Sequence, residues 1–99
     1  MITWLNVVRN VVPGQSVPYY ARTRKSQGQA FNIEVVSDSA VEVRATTGGL
    51  RRITRASFEA VAEVWEDYKA NRIPRTSVPT FNSSYILGLL HLLEQNTVF

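Results

Sequence analysis

Apolar and polar residues alternate along much of the segment between positions 16 and 54. The stretches FNIEVV and VEVRAT each show a two-residue period, and the turn-forming runs SDS and TTGG separate them from their neighbours. This period is typical of strands that bury one face and leave the other in water. We therefore predict an antiparallel meander of three to four strands over residues 16–54, with Pro18 confining the first strand to a sheet edge.

Helical spacing replaces the alternation on both sides of the meander. The run WLNVV predicts a short helix over residues 3–11. The run SFEAVAEVWEDYK repeats apolar residues every three or four positions and predicts a helix over residues 57–70, capped by Thr54 or Ser57. A last helix over residues 83–95 is apolar on most of its surface, which is typical of a buried or interfacial helix.

These elements predict one α+β domain over residues 1–99, with the helical part at 57–96. The expected architecture is a short N-terminal helix, the meander, and two to three helices packed on one sheet face. The C-terminal half has the outline of a helix-turn-helix. The residues expected in the core are Phe31, Ile33, Val35, Val43, Phe58, Trp65, Tyr68, Ile86, Leu90 and Leu93.

The composition of the chain excludes several classes of function but does not identify one. The chain has 99 residues, 44% of them hydrophobic, and no cysteine, which excludes disulfides, thiolate metal sites and a cysteine nucleophile. His91 is its only histidine and stands on the leucine-rich last helix. We expect no enzyme activity, no metal and no cofactor, because no catalytic or ligand spacing is present.

The hydropathy of the chain also bears on its location. No stretch approaches the roughly 20 apolar residues of a membrane span. The start, MITWLNVVRNVV, lacks a basic region before its apolar run, and Arg9 interrupts that run. We therefore expect a cytoplasmic protein with no membrane association.

Charge is unevenly distributed along the chain. Residues 1–55 carry eight basic and three acidic side chains, a balance of +5, whereas residues 56–99 carry three and five, a balance of −2. Nine of the eleven cations are arginines, whose planar forks suit phosphate and carboxylate oxygens. This asymmetry indicates one basic face that attracts a nucleic acid or an acidic protein.

The segment GGLRRITR is the densest part of the basic half. If Leu50 and Ile53 both face the core, a bulge or an early strand end is needed, and two arginines then reach the surface. We expect a band of phosphate-binding cations along the wet face of the sheet. Its members are Arg22, Arg24, Lys25, Arg44, Arg51, Arg52 and Arg55. The alternative is a solvated strand face with Arg44 paired to Glu34 or Glu42.

A second candidate contact lies at the start of the last helix. Asn82, Ser83, Ser84 and Tyr85 could hold a phosphate against free backbone amides. Capping of the helix is the alternative, because N-caps require these residue types. Along the same helix only a narrow polar line, with Gly88 and His91 at its centre, could serve a recognition helix.

The order of these segments resembles a small module of bacterial restriction-type and HNH-endonuclease-associated proteins. The likeness covers about residues 10–93 and rests mainly on GLRRI at 49–53 and NSSY at 82–85. It implies a role in DNA recognition or phage–host conflict. The nuclease domain of such proteins has no counterpart here, which leaves a stand-alone binder, an adaptor or an inhibitor.

Two functions therefore stand as hypotheses. The first is a non-enzymatic nucleic-acid-binding domain, with DNA favoured over RNA. The second is a protein-interaction module, such as a phage or mobile-element inhibitor that docks on a nucleic-acid-handling defence complex. Its contacts would be the same arginines, or an acidic helix face that mimics phosphate at Glu59, Glu63 and Glu66. Gly88 and His91 on the last helix also permit a homodimer.

Overall fold

The structure is a computed structural model, and it describes residues 2–20, 29–79 and 82–96. Four helices, four strands and one 3-10 turn follow one another in these ranges. In chain order they are α1 Trp4–Asn10, β1 Ser16–Pro18, β2 Ala30–Val36, β3 Ala40–Arg44, β4 Leu50–Thr54, α2 Arg55–Ala62, α3 Trp65–Lys69, the 3-10 turn Arg75–Ser77 and α4 Ser83–Asn96. This is the predicted α+β order.

The four strands form one antiparallel sheet in which neighbours in sequence are neighbours in space. The predicted meander is confirmed, and β1 and β4 are its edge strands. Pro18 ends β1, as expected of a residue that cannot donate a ladder hydrogen bond. Helices cover one face of the sheet, and in the described part of the chain the other face, which we call the open face, exposes Val35 and Leu50.

The core lies between the helices and the covered sheet face. Phe31, Ile33 and Val43 contribute the sheet side, each with 1% or less of its surface exposed. Phe58 and Leu90 face them from α2 and α4 and are fully buried. Each such side chain contributes roughly 1.5–3 kcal/mol of hydrophobic stabilisation. The predicted core is confirmed at every position except Val35.

Val35 is 45% exposed because β2 contains a bulge. Ile33 pairs with Val43, but Val35 rather than Glu34 pairs with Glu42, so Glu34 is an extra residue. One extra residue reverses the side on which later residues point. The alternation of FNIEVV therefore breaks after Ile33, and the expectation for Val35 is wrong.

The expectation of a bulge or early end in β4 is also wrong. β4 pairs with β3 in regular register from Leu50 to Thr54. Leu50 is 46% exposed, and its partner Arg44 is exposed as well, so both lie on the open face. Regular alternation then places Arg51, opposite buried Val43, on the covered side.

The helix predicted over residues 57–70 is divided into α2 and α3. Thr54 caps α2, since its hydroxyl accepts a hydrogen bond from the Ser57 amide. Val64 interrupts the helix with φ −105° and ψ 4°, outside the helical region. The interruption brings Trp65 beside the ring of Tyr20, with 5.1 Å between centroids.

Gly88 fixes the position of α4 against the sheet. A Cβ atom at this residue would lie 2.9 Å from the Pro18 carbonyl oxygen and 3.0 Å from the Phe31 ring. The close backbone approach that Gly88 allows is therefore to the chain's own β1. The predictions that Gly88 meets a nucleic acid or a second chain are wrong, because the residue is buried.

Candidate nucleic-acid interface

The predicted basic band does not form a single surface. Arg22, Arg24 and Lys25 lie outside the described residues. Arg44 and Arg52 project from the open face of the sheet, whereas Arg51 projects from the covered side. A band of all the arginines along the wet face is therefore wrong, because neighbouring residues of a regular strand point to opposite faces.

Two of the predicted arginines are ion-paired within the chain. The Arg44 Nε atom lies 3.5 Å from Glu34 Oε2, and its Nη1 atom donates to the Gly48 carbonyl oxygen at 2.9 Å. The Arg55 Nε atom lies 3.2 Å from Glu59 Oε2 one helical turn away. The alternative hypothesis of a paired Arg44 is thus confirmed. Both pairs are exposed, so a phosphate would compete with a carboxylate for these guanidinium groups.

The open sheet face is close to electrically neutral. Its described part carries Arg44 and Arg52 together with Glu34 and Glu42, so the formal charges cancel. Leu50 lies among them as an exposed apolar residue. This face lacks the positive excess that phosphate binding requires.

Arg51 instead reaches the aromatic residues beneath the start of α4. Its Nη1 atom donates to the Leu50 carbonyl oxygen at 3.2 Å. Burial raises the pKa of the Tyr85 hydroxyl, the neighbouring Tyr19 raises it further, and the Arg51 guanidinium lowers it. Tyr85 also packs edge-on against Phe31, with 5.2 Å between ring centroids. The Arg51 side chain is therefore held beside a ring that the core fixes in place.

The start of α4 is joined to β4 and to the 3-10 turn. The side-chain amide of Asn82 donates to the Arg52 carbonyl oxygen at 2.9 Å. The Arg75 Nη2 atom donates to the Ser84 hydroxyl at 3.1 Å. The two segments singled out in the sequence, GLRRI and NSSY, therefore meet in space. Arg75 contacts the second of them through Ser84.

The four residues of NSSY have different surroundings. Ser83 is only 3% exposed, so its hydroxyl does not face solvent. Ser84 is exposed and accepts from Arg75. The Asn82 carbonyl oxygen accepts from the amides of Tyr85 and Ile86, which begins the helix. Of this segment, Ser84 and Tyr85 each present their side chain beside an exposed arginine, Arg75 and Arg51 respectively.

We name Arg51, Arg52 and Arg75 the arginine edge. All three are exposed, and none has a carboxylate within ion-pair distance among the residues that the structure describes. Within the same ranges Arg9, on α1, is the one other cation without such a partner. Arg51 and Arg75 lie beside the start of α4, and Arg52 projects from the opposite face of the same edge strand, so the arginine edge places uncompensated positive charge on both sides of the sheet border.

Arg75 and Tyr19 were not among the predicted site residues. Arg75 follows Pro74 in the run RIPR, and the chain makes a 3-10 turn there before α4 begins. A turn just before a helix brings its side chains close to the first helical turn. The position of Arg75 in a turn just before α4 is the sequence signal that could have identified it. Tyr19 follows the edge strand, and nothing in its local sequence connects it with α4.

The acidic side chains proposed as an alternative contact lie on α2, on α3 and, for Glu63, at the break between them. Glu59 is paired with Arg55, and the Lys69 Nζ atom lies 3.2 Å from Glu66 Oε1. Glu63 is exposed and has no ion pair among the described residues. His91 is half-buried against the Tyr20 ring, with 4.7 Å between centroids. A packed ring contact accounts for its place on α4.

The described ranges contain no group of three or more histidine, cysteine, aspartate or glutamate side chains that could hold a metal ion. Among the described helices, none is long and apolar enough to cross a membrane.

Comparisons with known proteins add no relative. No protein-family model matches this chain, and searches of curated proteins and of solved structures gave no match.

Proposed function

We propose that this protein is a non-enzymatic nucleic-acid-binding domain that holds phosphates at the arginine edge. One observation carries the proposal: three exposed arginines without carboxylate partners in the described ranges lie on the edge strand β4 and beside the start of α4. Such a group attracts a polyanion and releases its counterions on binding.

The chemistry of the arginine edge suits phosphate oxygens. A guanidinium group offers several N–H donors in one plane and binds an oxyanion through two of them. Arg51 and Arg75 are each held by a hydrogen bond to the chain, so part of the entropy cost of ordering them is met before binding. Contacts of this kind fix orientation and do not read base sequence.

Duplex DNA is the expected nucleic acid, because the resemblance to endonuclease-associated modules favours it. The test is fluorescence anisotropy of labelled duplex DNA and of single-stranded RNA at low and physiological salt. We expect Arg51→Ala/Arg52→Ala to weaken binding about tenfold for every sequence. The slope of log K against log salt should fall by about 0.9 for each phosphate that the variant no longer neutralises.

The matched control is Arg55→Ala/Arg72→Ala, which removes the same charge from residues already paired with Glu59 and Asp67. A smaller loss of affinity in the control supports the arginine edge. Equal losses in the two double variants would mean that only net charge matters. No binding by the unaltered protein at low salt would refute the proposal.

A protein-interaction module is the second candidate. The open sheet face favours it, because exposed Leu50 and Val35 lie there among balanced charges, a composition suited to a protein interface. A docked inhibitor of a nucleic-acid-handling defence complex would use such a face. Capture of one protein partner in a pull-down, with loss of capture in Leu50→Asp and no shift of labelled DNA, would select this function.

A further inference from the structure

A groove of about 360 Å³ lies on the side of the molecule that carries α3. Its apolar surface is formed by Ile2, Trp65 and Leu90. Its acidic residues are Glu63 and Glu66 beside Trp65, and Glu94 on α4. We call this feature the acidic groove. Its volume is at the small end of the range for ligand sites, roughly 300–1,000 Å³.

Two carboxylates that line the acidic groove already contact one ammonium group of the chain itself. The Lys69 Nζ atom contacts Glu66 and Glu94 and lies 5.1 Å from the centroid of the Trp65 ring. The Trp65 indole N–H donates to Glu94 Oε2 at 2.8 Å, which fixes ring and carboxylate together. The surroundings of Lys69 show that an ammonium group fits against this ring and these carboxylates.

A negative excess remains after Lys69 is counted. Among the described residues, three carboxylates line the acidic groove, this one cation contacts two of them, and Glu63 has no ion pair. The exposed oxygens of Glu63 and Glu66 repel phosphate. A ligand that complements the acidic groove therefore needs a positive charge and an apolar stem.

We propose that the acidic groove binds an arginine or lysine side chain of a basic amphipathic segment in a protein partner. The methylene groups of that side chain would lie along Trp65 and Ile2, and its cation would meet Glu63 and Glu66. Charge complementarity identifies this occupant and excludes nucleic acid. The site is separate from the arginine edge and does not depend on nucleic-acid binding there.

The test is an NMR titration that follows the indole N–H signals of the two tryptophans. The probe is a short synthetic peptide of arginine and leucine residues, and its control has citrulline, a neutral isostere, in place of arginine. We expect the Trp65 signal to shift on titration. The Trp4 signal should stay, because Trp4 does not line the acidic groove and donates its indole hydrogen bond to the Asp38 carbonyl.

A matched pair of variants assigns the binding. Glu63→Gln/Glu66→Gln should weaken peptide binding about fivefold, since each exposed ion pair contributes modestly. Glu59→Gln, on α2 and outside the groove lining, should leave it unchanged, as should Arg51→Ala/Arg52→Ala. The proposal is overturned if the Trp65 signal does not move, if the citrulline peptide binds equally, or if Glu59→Gln weakens binding as much as the double variant.

Discussion

The arginine edge and the α3 side of the molecule differ in the groups that contact their cations. On α3 and just after it, Lys69 contacts Glu66 and Glu94, and the Arg72 Nη1 atom lies 2.9 Å from Asp67 Oδ1. At the arginine edge, Arg51 and Arg75 instead bond to a backbone carbonyl and to a serine hydroxyl. Neutral partners leave the positive charge of a guanidinium group uncompensated.

The contrast shows that a count of charges does not locate a binding surface. The basic half of the sequence includes Arg44 and Arg55, yet both are paired with carboxylates in the fold. Arg75 belongs to the acidic half and joins the arginine edge. The position of each carboxylate, rather than the total charge, determines which cations are available to a ligand.

The largest expected effect on stability comes from disturbing the contact between α4 and the sheet, because α4 contributes to both regions. Gly88→Val should lower the free energy of unfolding by about 3 kcal/mol, because its side chain would meet the Pro18 carbonyl and the Phe31 ring. Denaturant unfolding measures this loss. Gln95→Val, at an exposed position on the same helix, is the control and should cost less than about 1 kcal/mol. Similar losses in the two variants would show that α4 does not press on β1 at Gly88.

A smaller effect on stability is expected from the loss of one carboxylate on the α3 side of the molecule. Burial opposes ionisation of Glu94, but the hydrogen bonds from Lys69 and Trp65 outweigh it, so its pKa lies below the ordinary value of 4.5. A lowered folded-state pKa stabilises the protein above the unfolded pKa, and this stability is lost as the pH falls through the folded value. Glu94→Gln should therefore cost about 1 kcal/mol at neutral pH and progressively less below about pH 4.5.

Denaturant unfolding of both proteins between about pH 7 and about pH 3 checks this dependence. The matched control is Glu42→Gln, which removes one carboxylate from the open sheet face and keeps the contacts of Glu94 with Lys69 and Trp65. A Glu94→Gln cost that is as large in acid as at neutral pH would contradict the role given to the ionised carboxylate.

The smallest expected effect sharpens the account of the arginine edge. Asn82→Ala removes the hydrogen bond to the Arg52 carbonyl and should cost about 0.5 kcal/mol. Hydrogen exchange near β4 should increase in the variant, because the strand loses its tie to α4. Ser84→Ala, which keeps that tie, serves as the comparison. Unchanged exchange at β4 in Asn82→Ala would show that the hydrogen bond does not hold the two elements together.

The fold could be predicted from periodicity, and its departures from the prediction depend on how the elements pair and pack. Alternation located the strands, and helical spacing located the helices, because each period follows from backbone geometry. The bulge at Glu34 was not predictable, since one extra residue depends on pairing with β3 rather than on local pattern. The break at Val64 escaped detection for a similar reason, because the apolar stripe continues across it.

The candidate site could be predicted only in its parts. GLRRI and NSSY were identified from residue type, but their meeting depends on how α4 packs, which Gly88 decides through contacts with β1. The side on which Arg51 points was missed, because the expected bulge or early strand end would have let Leu50 and Ile53 face the same side, whereas the pairing with β3 is regular. Arg75 was missed because its partner Ser84 is nine residues away, across a turn.

The most direct test of the account compares salt dependence in two variants of equal charge. Arg51→Ala/Arg52→Ala/Arg75→Ala removes the arginine edge, and Arg44→Ala/Arg55→Ala/Arg72→Ala removes three arginines that have carboxylate partners. The slope of log K against log salt for duplex DNA should fall by up to about 2.7 in the first variant and by less than about 1 in the second. Equal slopes in the two variants would contradict the claim that unpaired arginines form the binding surface.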